Sequence, residues 1–260
     1  MRVMFLGDIV GRPGRRAVRE LLPSLREKYQ PELIIANGEN AAGGRGITRK
    51  TADELFLSGI DMLTMGNHVW DQREVYQFID DEDRMVRPAN YPPETPGQGY
   101  AIISTADNAK LGIINLSGRV YMQTLDCPFR RLDQILPLIK KETDAILIDF
   151  HAEATSEKQA LGWYADGRAS AVLGTHTHVQ TSDDRILPGG TGFITDVGMT
   201  GPRDSVLGVE AESVISKFLS LRPVRFGVAG GAIQLNAVYL EIDQDRGRTE
   251  VIKRINVIKI

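Results

Sequence analysis

The chain is a succession of short apolar runs, most of them followed by a helix-like segment, and nearly every run ends on a polar side chain. "RVMFLGD", "PELIIANGEN", "IDMLTMGNH", "AILIDFH" and "SAVLGTHTH" all follow this rule. Between them, "GRRAVRELLPSLREKY" and "TRKTADELFLSG" carry apolar residues at helical spacing, and Gly59 marks a helix stop. Buried strands alternating with amphipathic helices are the repeat of a layered α/β fold. In open sheets of that kind, ligands gather at the carboxyl ends of the strands. The alternation therefore constrains both the architecture and the place where chemistry belongs.

The pattern changes in the middle of the chain. "REVYQFIDDE" reads as one more helix, and "GYAIISTADNAKLGIINLSG" as two strands joined by a polar Asp-Asn turn. "FRRLDQILPLIKKETDAILIDFHAE" returns to helix then strand, "GGTGFITDVGMTGP" is a strand entering a glycine-rich loop, and "GVEAESVISKFLS" is a helix. The end reads as two long strands around "DRGR", either a sheet edge or an interface, and a homo-oligomer is the expectation. There is no repeat, linker or low-complexity segment. Residues 1–260 are read as one domain, with two packed sheets or one sheet carrying an antiparallel portion.

Composition narrows the chemistry. A formal net charge of −3 leaves no electrostatic footprint for long nucleic acid, although "RKTAD" and "FRR" are locally basic. The single cysteine, Cys127 in "LDCPF", excludes an internal disulfide and is read as structural. A metal site here must use imidazole, carboxylate and amide ligands. Asp8 interrupts the N-terminal apolar run too early for a signal peptide, and no stretch approaches the length of a membrane span. The expected compartment is the cytoplasm.

All four histidines, His68, His151, His176 and His178, fall at the ends of strand-like runs. Asp8, Glu39 and Asn40 end two others. Taken singly, Asp8 reads equally well as the cap of a helix beginning near Pro13, Glu39 as a solvated loop charge, and His68 as a histidine satisfied by its neighbours. Successive residues of a strand point to opposite faces, so both rings of "HTH" reach one cluster only through a turn, which Gly174 and the polar "QTSDD" permit. Taken together, these groups on one sheet rim are hard ligands suited to manganese, iron or zinc.

"GD", "NGEN", "GNH", "H" and "GTHTH", in this order, resemble the calcineurin-like metallophosphoesterase superfamily. The longer strings "FLGDIVGRPGR", "ANGENAAGGRGIT", "DFHAEATSEK", "GTHTHVQTSD" and "TDVGMTGP" resemble its YmdB-like branch over nearly the whole chain. The resemblance implies a four-layer α/β/β/α sandwich, a dinuclear metal centre and phosphodiesterase activity on 2′,3′-cyclic nucleotides. Two departures from the superfamily pattern are typical of the branch. Asp8-Ile9-Val10 lacks the usual histidine, and Glu39 with Asn40 replaces the usual bridging aspartate. One imidazole fewer means more oxygen around the first metal, which favours iron or manganese over zinc.

The resemblance implies that Asp8, Glu39, Asn40 and His178 hold one metal, while Glu39, Asn67, His151 and His176 hold the other. Two cations about 3.5–4 Å apart would activate a hydroxide and clamp the phosphate oxygens. His68 would face the substrate and protonate the leaving ribose oxygen as general acid. Asp196 reads either as an orienter of a ligating histidine or as a turn aspartate, and Asp149 as structural, facing away from His151. Gly43, Gly44 and Gly46 would let backbone amides approach a phosphate, and Arg45 either holds it or is solvated. The competing functions are a phosphomonoesterase or nuclease on the same site, and a regulatory module binding a nucleotide or protein with slow catalysis.

Overall fold

A computed structural model describes all 260 residues. The strands are β1 (Arg2–Leu6), β2 (Asp8–Ile9), β3 (Leu33–Asn37), β4 (Met62–Thr64), β5 (Met85–Val86), β6 (Tyr100–Ser104), β7 (Lys110–Ser117), β8 (Ile146–His151), β9 (Ala171–Thr175), β10 (Arg185–Ile186), β11 (Gly192–Ile194), β12 (Met199–Pro202), β13 (Ile233–Asp243) and β14 (Arg248–Lys259). The helices are α1 (Gly11–Tyr29), α2 (Arg49–Leu57), α3 (Pro128–Ile139), α4 (Thr155–Ala165) and α5 (Ala211–Ser220). No helix is long and apolar enough to cross a membrane.

The strands form two sheets of mixed direction. One runs β2-β12-β13-β1-β3-β4-β5, with β14 paired only to β13 as an edge. The other runs β10-β11-β9-β8-β7-β6. In the first sheet β1, β3, β4 and β5 are parallel, and in the second β7, β8, β9 and β11 are parallel. Each parallel block therefore sends its carboxyl ends, with their polar residues, to one rim.

Apolar runs without polar alternation are the mark of strands covered on both faces. In β1, Val3 and Phe5 join a cluster with Leu147 and Leu173 of the other sheet, while Met4 and Leu6 join a cluster with Val18 and Leu22 of α1. On the far side of the second sheet, Ile146, Ile148 and Phe150 of β8 pack with Leu132 of α3 and Leu161 of α4. Three apolar clusters thus line the two sheets, one between them and one under each pair of helices.

The hairpins of β6 with β7 and of β13 with β14 form where the sequence reading places them. The helix expected over "REVYQFIDDE" does not form beyond a 3₁₀ turn at Arg73–Gln77. Its acidic tail is used as a set of acceptors instead. Asp80 accepts from the Gly97 amide at 2.6 Å and Glu82 from the Arg84 amide at 3.1 Å, which fixes a loop rather than a helical face.

Candidate active site

Strand periodicity carries the first polar groups to the rim. Leu33 and Ile35 of β3 and Leu147 of β8 face the other sheet, so Asn37, Asp149 and His151, each an even number of residues further on, do so too. Asn37 Nδ2 donates to Asp149 Oδ2 across the gap at 3.1 Å. The expectation that Asp149 faces away from His151 is therefore wrong, because residues two apart on a strand share a face. Asp149 accepts a 2.7 Å hydrogen bond from Thr175 Oγ1, and that hydroxyl lies 2.9 Å from His151 Nδ1. With its proton committed to Asp149, Thr175 accepts from His151 Nδ1–H, which turns His151 Nε2 toward the cluster.

Three further groups converge on that nitrogen. Glu39 Oε1 lies 3.1 Å away, Asn67 Oδ1 3.0 Å and His176 Nδ1 3.0 Å. His176 Nε2 is 3.1 Å from Glu153 Oε2, so the far nitrogen carries the proton and Nδ1 points inward as a lone pair. Glu39, His151 and His176 are spaced so that they could hold a metal ion. On these side chains alone, the charge is balanced by protons. Burial opposes ionisation of Glu39, but His151 and His68 outweigh it and hold the carboxyl at about 2. Burial likewise lowers His151, yet Glu39 and Asp8 raise it to about 9. His176, lowered by burial and by the charge on His151 to about 3, stays neutral.

Asp8 and His178 approach each other beside the first convergence, and Asn40 follows Glu39 in the chain. Asp8 is wholly buried; its Oδ2 accepts from the His176 amide at 3.2 Å, while Oδ1 has no hydrogen-bond partner. His178 Nε2 lies 3.8 Å from that oxygen, and His178 Nδ1 lies 3.0 Å from the Leu207 carbonyl. The carbonyl accepts from Nδ1–H, which turns Nε2 toward Asp8. Asn40 is 4% exposed; its Nδ2 donates to Gly44 O at 3.1 Å, and its Oδ1 is also without a partner. Burial raises the Asp8 pKa against the pull of His178 and His151. Buried acceptors left unpaired cost about 1–3 kcal/mol each. A cation would satisfy an orphaned oxygen of this kind, and a donor set of carboxylate, amide and imidazole suits a hard or borderline metal.

The turn at "HTH" does not come from Gly174. A Cβ at that position would strike the carbonyl oxygen of Thr195, so this glycine serves a close approach of two strands. The turn is made by the histidines themselves, with φ of 102° at His176 and 64° at His178. Left-handed backbone at non-glycine residues is unfavourable and is kept only when its surroundings hold it. Asp196 does this, through Thr177 and not through a histidine ring. Its Oδ2 accepts from Thr177 N at 3.0 Å, from Thr177 Oγ1 at 2.6 Å and from Lys158 Nζ at 2.7 Å. Lys158 is 1% exposed. Replacing one member of a buried ion pair strands the other, at about 3–5 kcal/mol. Lys158→Met is expected to lower the unfolding free energy by that amount, read by urea denaturation, and a loss below about 1 kcal/mol would show that Asp196 does not depend on the lysine.

His68 stands apart from both groups. Its backbone amide donates to Glu39 Oε2 at 2.9 Å, while its ring is a quarter exposed with Nδ1 2.9 Å from Asp71 Oδ2. Asp71 escaped the sequence reading; the visible signal was His-x-x-Asp in "HVWD". The glycines of "AAGGRG" shape the loop that follows Glu39 and Asn40. Gly43, Gly44 and Gly46 have φ of 67°, 96° and 71°, and they fold the loop back so that Gly44 O can orient the Asn40 amide. The Arg45 side chain is exposed, and the loop uses its carbonyl, which accepts from Gln72 Nε2 at 2.9 Å.

A family model described as YmdB-like protein matches residues 4–255. A 2′,3′-cyclic-nucleotide 2′-phosphodiesterase of Bacillus subtilis (strain 168) is 53% identical over 255 residues, covering 98% of this chain and 96% of that protein. Among solved structures, a hypothetical protein from Thermus thermophilus superposes with a TM-score of 0.93 at 45% identity, covering 100% of both chains. A Staphylococcus aureus protein described as a candidate 5′-nucleotidase shares the fold at 15% identity and a TM-score of 0.64, with all of this chain spanning 55% of that one.

Proposed function

Because the chain belongs to the YmdB-like family, we propose that it is a metal-dependent phosphodiesterase acting on small cyclic nucleotides of the 2′,3′ class. The observation that carries this reading is the meeting of Glu39, Asn67 and His176 on His151 Nε2, next to the buried and unpartnered Oδ1 of Asp8. In the proposal, Glu39, Asn67, His151 and His176 hold one cation and Asp8, Glu39, Asn40 and His178 the other, with Glu39 shared. The cations, iron or manganese in preference to zinc, would make a water acidic enough to attack phosphorus and would neutralise the phosphoryl oxygens.

The remaining work falls to the protein. Asp71 holds His68 Nδ1–H, so His68 Nε2 presents the proton that the departing ribose oxygen requires. The water oxygen bonds to phosphorus, the bond from phosphorus to the ribose oxygen breaks, and that oxygen takes the proton. In line with the Bacillus 2′-phosphodiesterase, the 2′ bond would be the one opened, which leaves a 3′-phosphate. The three apolar clusters support a four-layer α/β/β/α sandwich formed by residues 1–260 as one domain. The site reads as cytoplasmic chemistry on a small phosphodiester.

Release of phosphomonoester from 2′,3′-cyclic AMP by the pure protein, with manganese and then with excess chelator, tests the proposal. Turnover that the chelator abolishes is the expected result. Turnover of a monoester or a short oligonucleotide, with none of the cyclic diester, would transfer the reading to a phosphomonoesterase or nuclease. Tight binding of the cyclic nucleotide without turnover would transfer it to a regulatory module.

A further inference from the structure

We propose that the cavity at the start of α3 is a second binding site, built for a small anion bearing a phosphoryl group and sharing no residue with the metal centre. The cavity has a volume of about 440 Å³, within the range of small-molecule sites, and its wall includes Arg87, Arg130 and Arg131. None of the three forms an ion pair. Glu94 and Asp126 share the wall but are exposed and leave the guanidiniums unneutralised.

Two of the cations are anchored on neutral acceptors. Arg87 is 7% exposed and donates to the carbonyls of Pro96 at 2.9 Å, Pro88 at 2.8 Å and Thr95 at 2.8 Å. A guanidinium has five N–H donors, so two of Arg87's remain. Arg131 donates to the Ala89 carbonyl at 2.9 Å and to Gln134 Oε1 at 3.0 Å, with three donors to spare. Carbonyl anchors fix these forks in place without cancelling their charge, and planar forks of this kind match phosphate oxygens.

The helix start adds to the excess. α3 opens at Cys127 with no side-chain cap, has no acidic residue in its first turn, and places Arg130 and Arg131 there. Cations at a helix N-terminus oppose the macrodipole, where an anion would be stabilised. Tyr91, 8% exposed, lines the same cavity with the Arg87 guanidinium 6.0 Å from the centre of its ring. Burial and the neighbouring Arg131 both lower the Arg87 pKa, a further sign that the positive charges are crowded.

The test is calorimetric titration of the full-length, manganese-loaded protein with inorganic phosphate and with adenosine monophosphate, comparing wild type with Arg130→Glu and Arg130→Ala. Any binding at the metal centre is common to all three, so the difference reports the α3 cavity. Wild type is expected to take up a further equivalent that both variants bind about tenfold or more weakly, as loss of a charge-assisted hydrogen bond implies. Arg130→Glu should also melt no lower than wild type, since an acidic residue in the first turn suits the dipole. Tighter binding of the nucleotide than of phosphate would identify a phosphorylated metabolite as the ligand, and equal binding would identify free phosphate. Identical isotherms for wild type and either variant would overturn the proposal.

Discussion

Gly66→Ala is expected to remove metal-dependent turnover while leaving the fold intact. Gly66 lies just past β4, between Met65 and Asn67, and a Cβ there would run into Glu39 Oε2 and into Cδ2 and Nε2 of His151. Those atoms surround the nitrogen on which Asn67 and His176 also converge. Overpacking of this sort costs about 1–3 kcal/mol of stability, which a domain of this size survives. The site does not, because Glu39 and His151 must move apart. Loss of one supporting contact at a metal site typically lowers affinity by about 10–100-fold, and displacing two proposed ligands together should exceed that. Metal content after dialysis, read beside turnover and a melting curve, checks the prediction. A variant that keeps full metal and full activity would show that the approach of Glu39 to His151 is not what holds the cations.

His68→Gln should lower kcat on a 2′,3′-cyclic nucleotide by roughly 10²–10⁴-fold with metal content unchanged. The two effects separate because different atoms of His68 are involved. Its backbone N–H, which glutamine retains, donates to Glu39 Oε2 at 2.9 Å. Its ring, held through Nδ1 by Asp71, is what the proposed proton transfer uses. A substrate with a p-nitrophenolate leaving group needs little protonation, so the variant should lose far less on that ester. Asp71→Asn should give a smaller loss and a displaced pH profile, since it changes the ring's partner and not the ring. A His68→Gln loss below about tenfold on the ribose ester would remove the general-acid role.

What the sequence made legible follows from period and position. Apolar runs without alternation announced doubly covered strands, and the residues ending those runs were bound to lie on one rim because the strands are parallel. Glu39, Asn67, His151 and His176 could be picked out in this way, since each ends or follows such a run. Contacts between the sheets were not legible. Thr175 and Asp149 behind His151, and Glu153 behind His176, act through pairings that no local pattern encodes. The direction of Asp149 was misjudged, although counting by two along β8 places it on the face of His151. The turn at residues 176–178 was expected where Gly174 and the polar stretch after the histidines permit one. Here histidine adopts the left-handed backbone itself, held by an aspartate some twenty residues further along.

That turn ties the fates of the two proposed metal positions together. His176 belongs to one and His178 to the other, and Thr177, fastened to Asp196, sets the pitch between them. An insertion or deletion of one residue in this stretch would misdirect both rings at once. Divergence toward a single-metal descendant could not proceed by trimming one ligand here, because the anchor that remained would still present the other ring at an angle suited to a pair. In this respect the turn works as a single inherited part, to be kept whole or rebuilt whole.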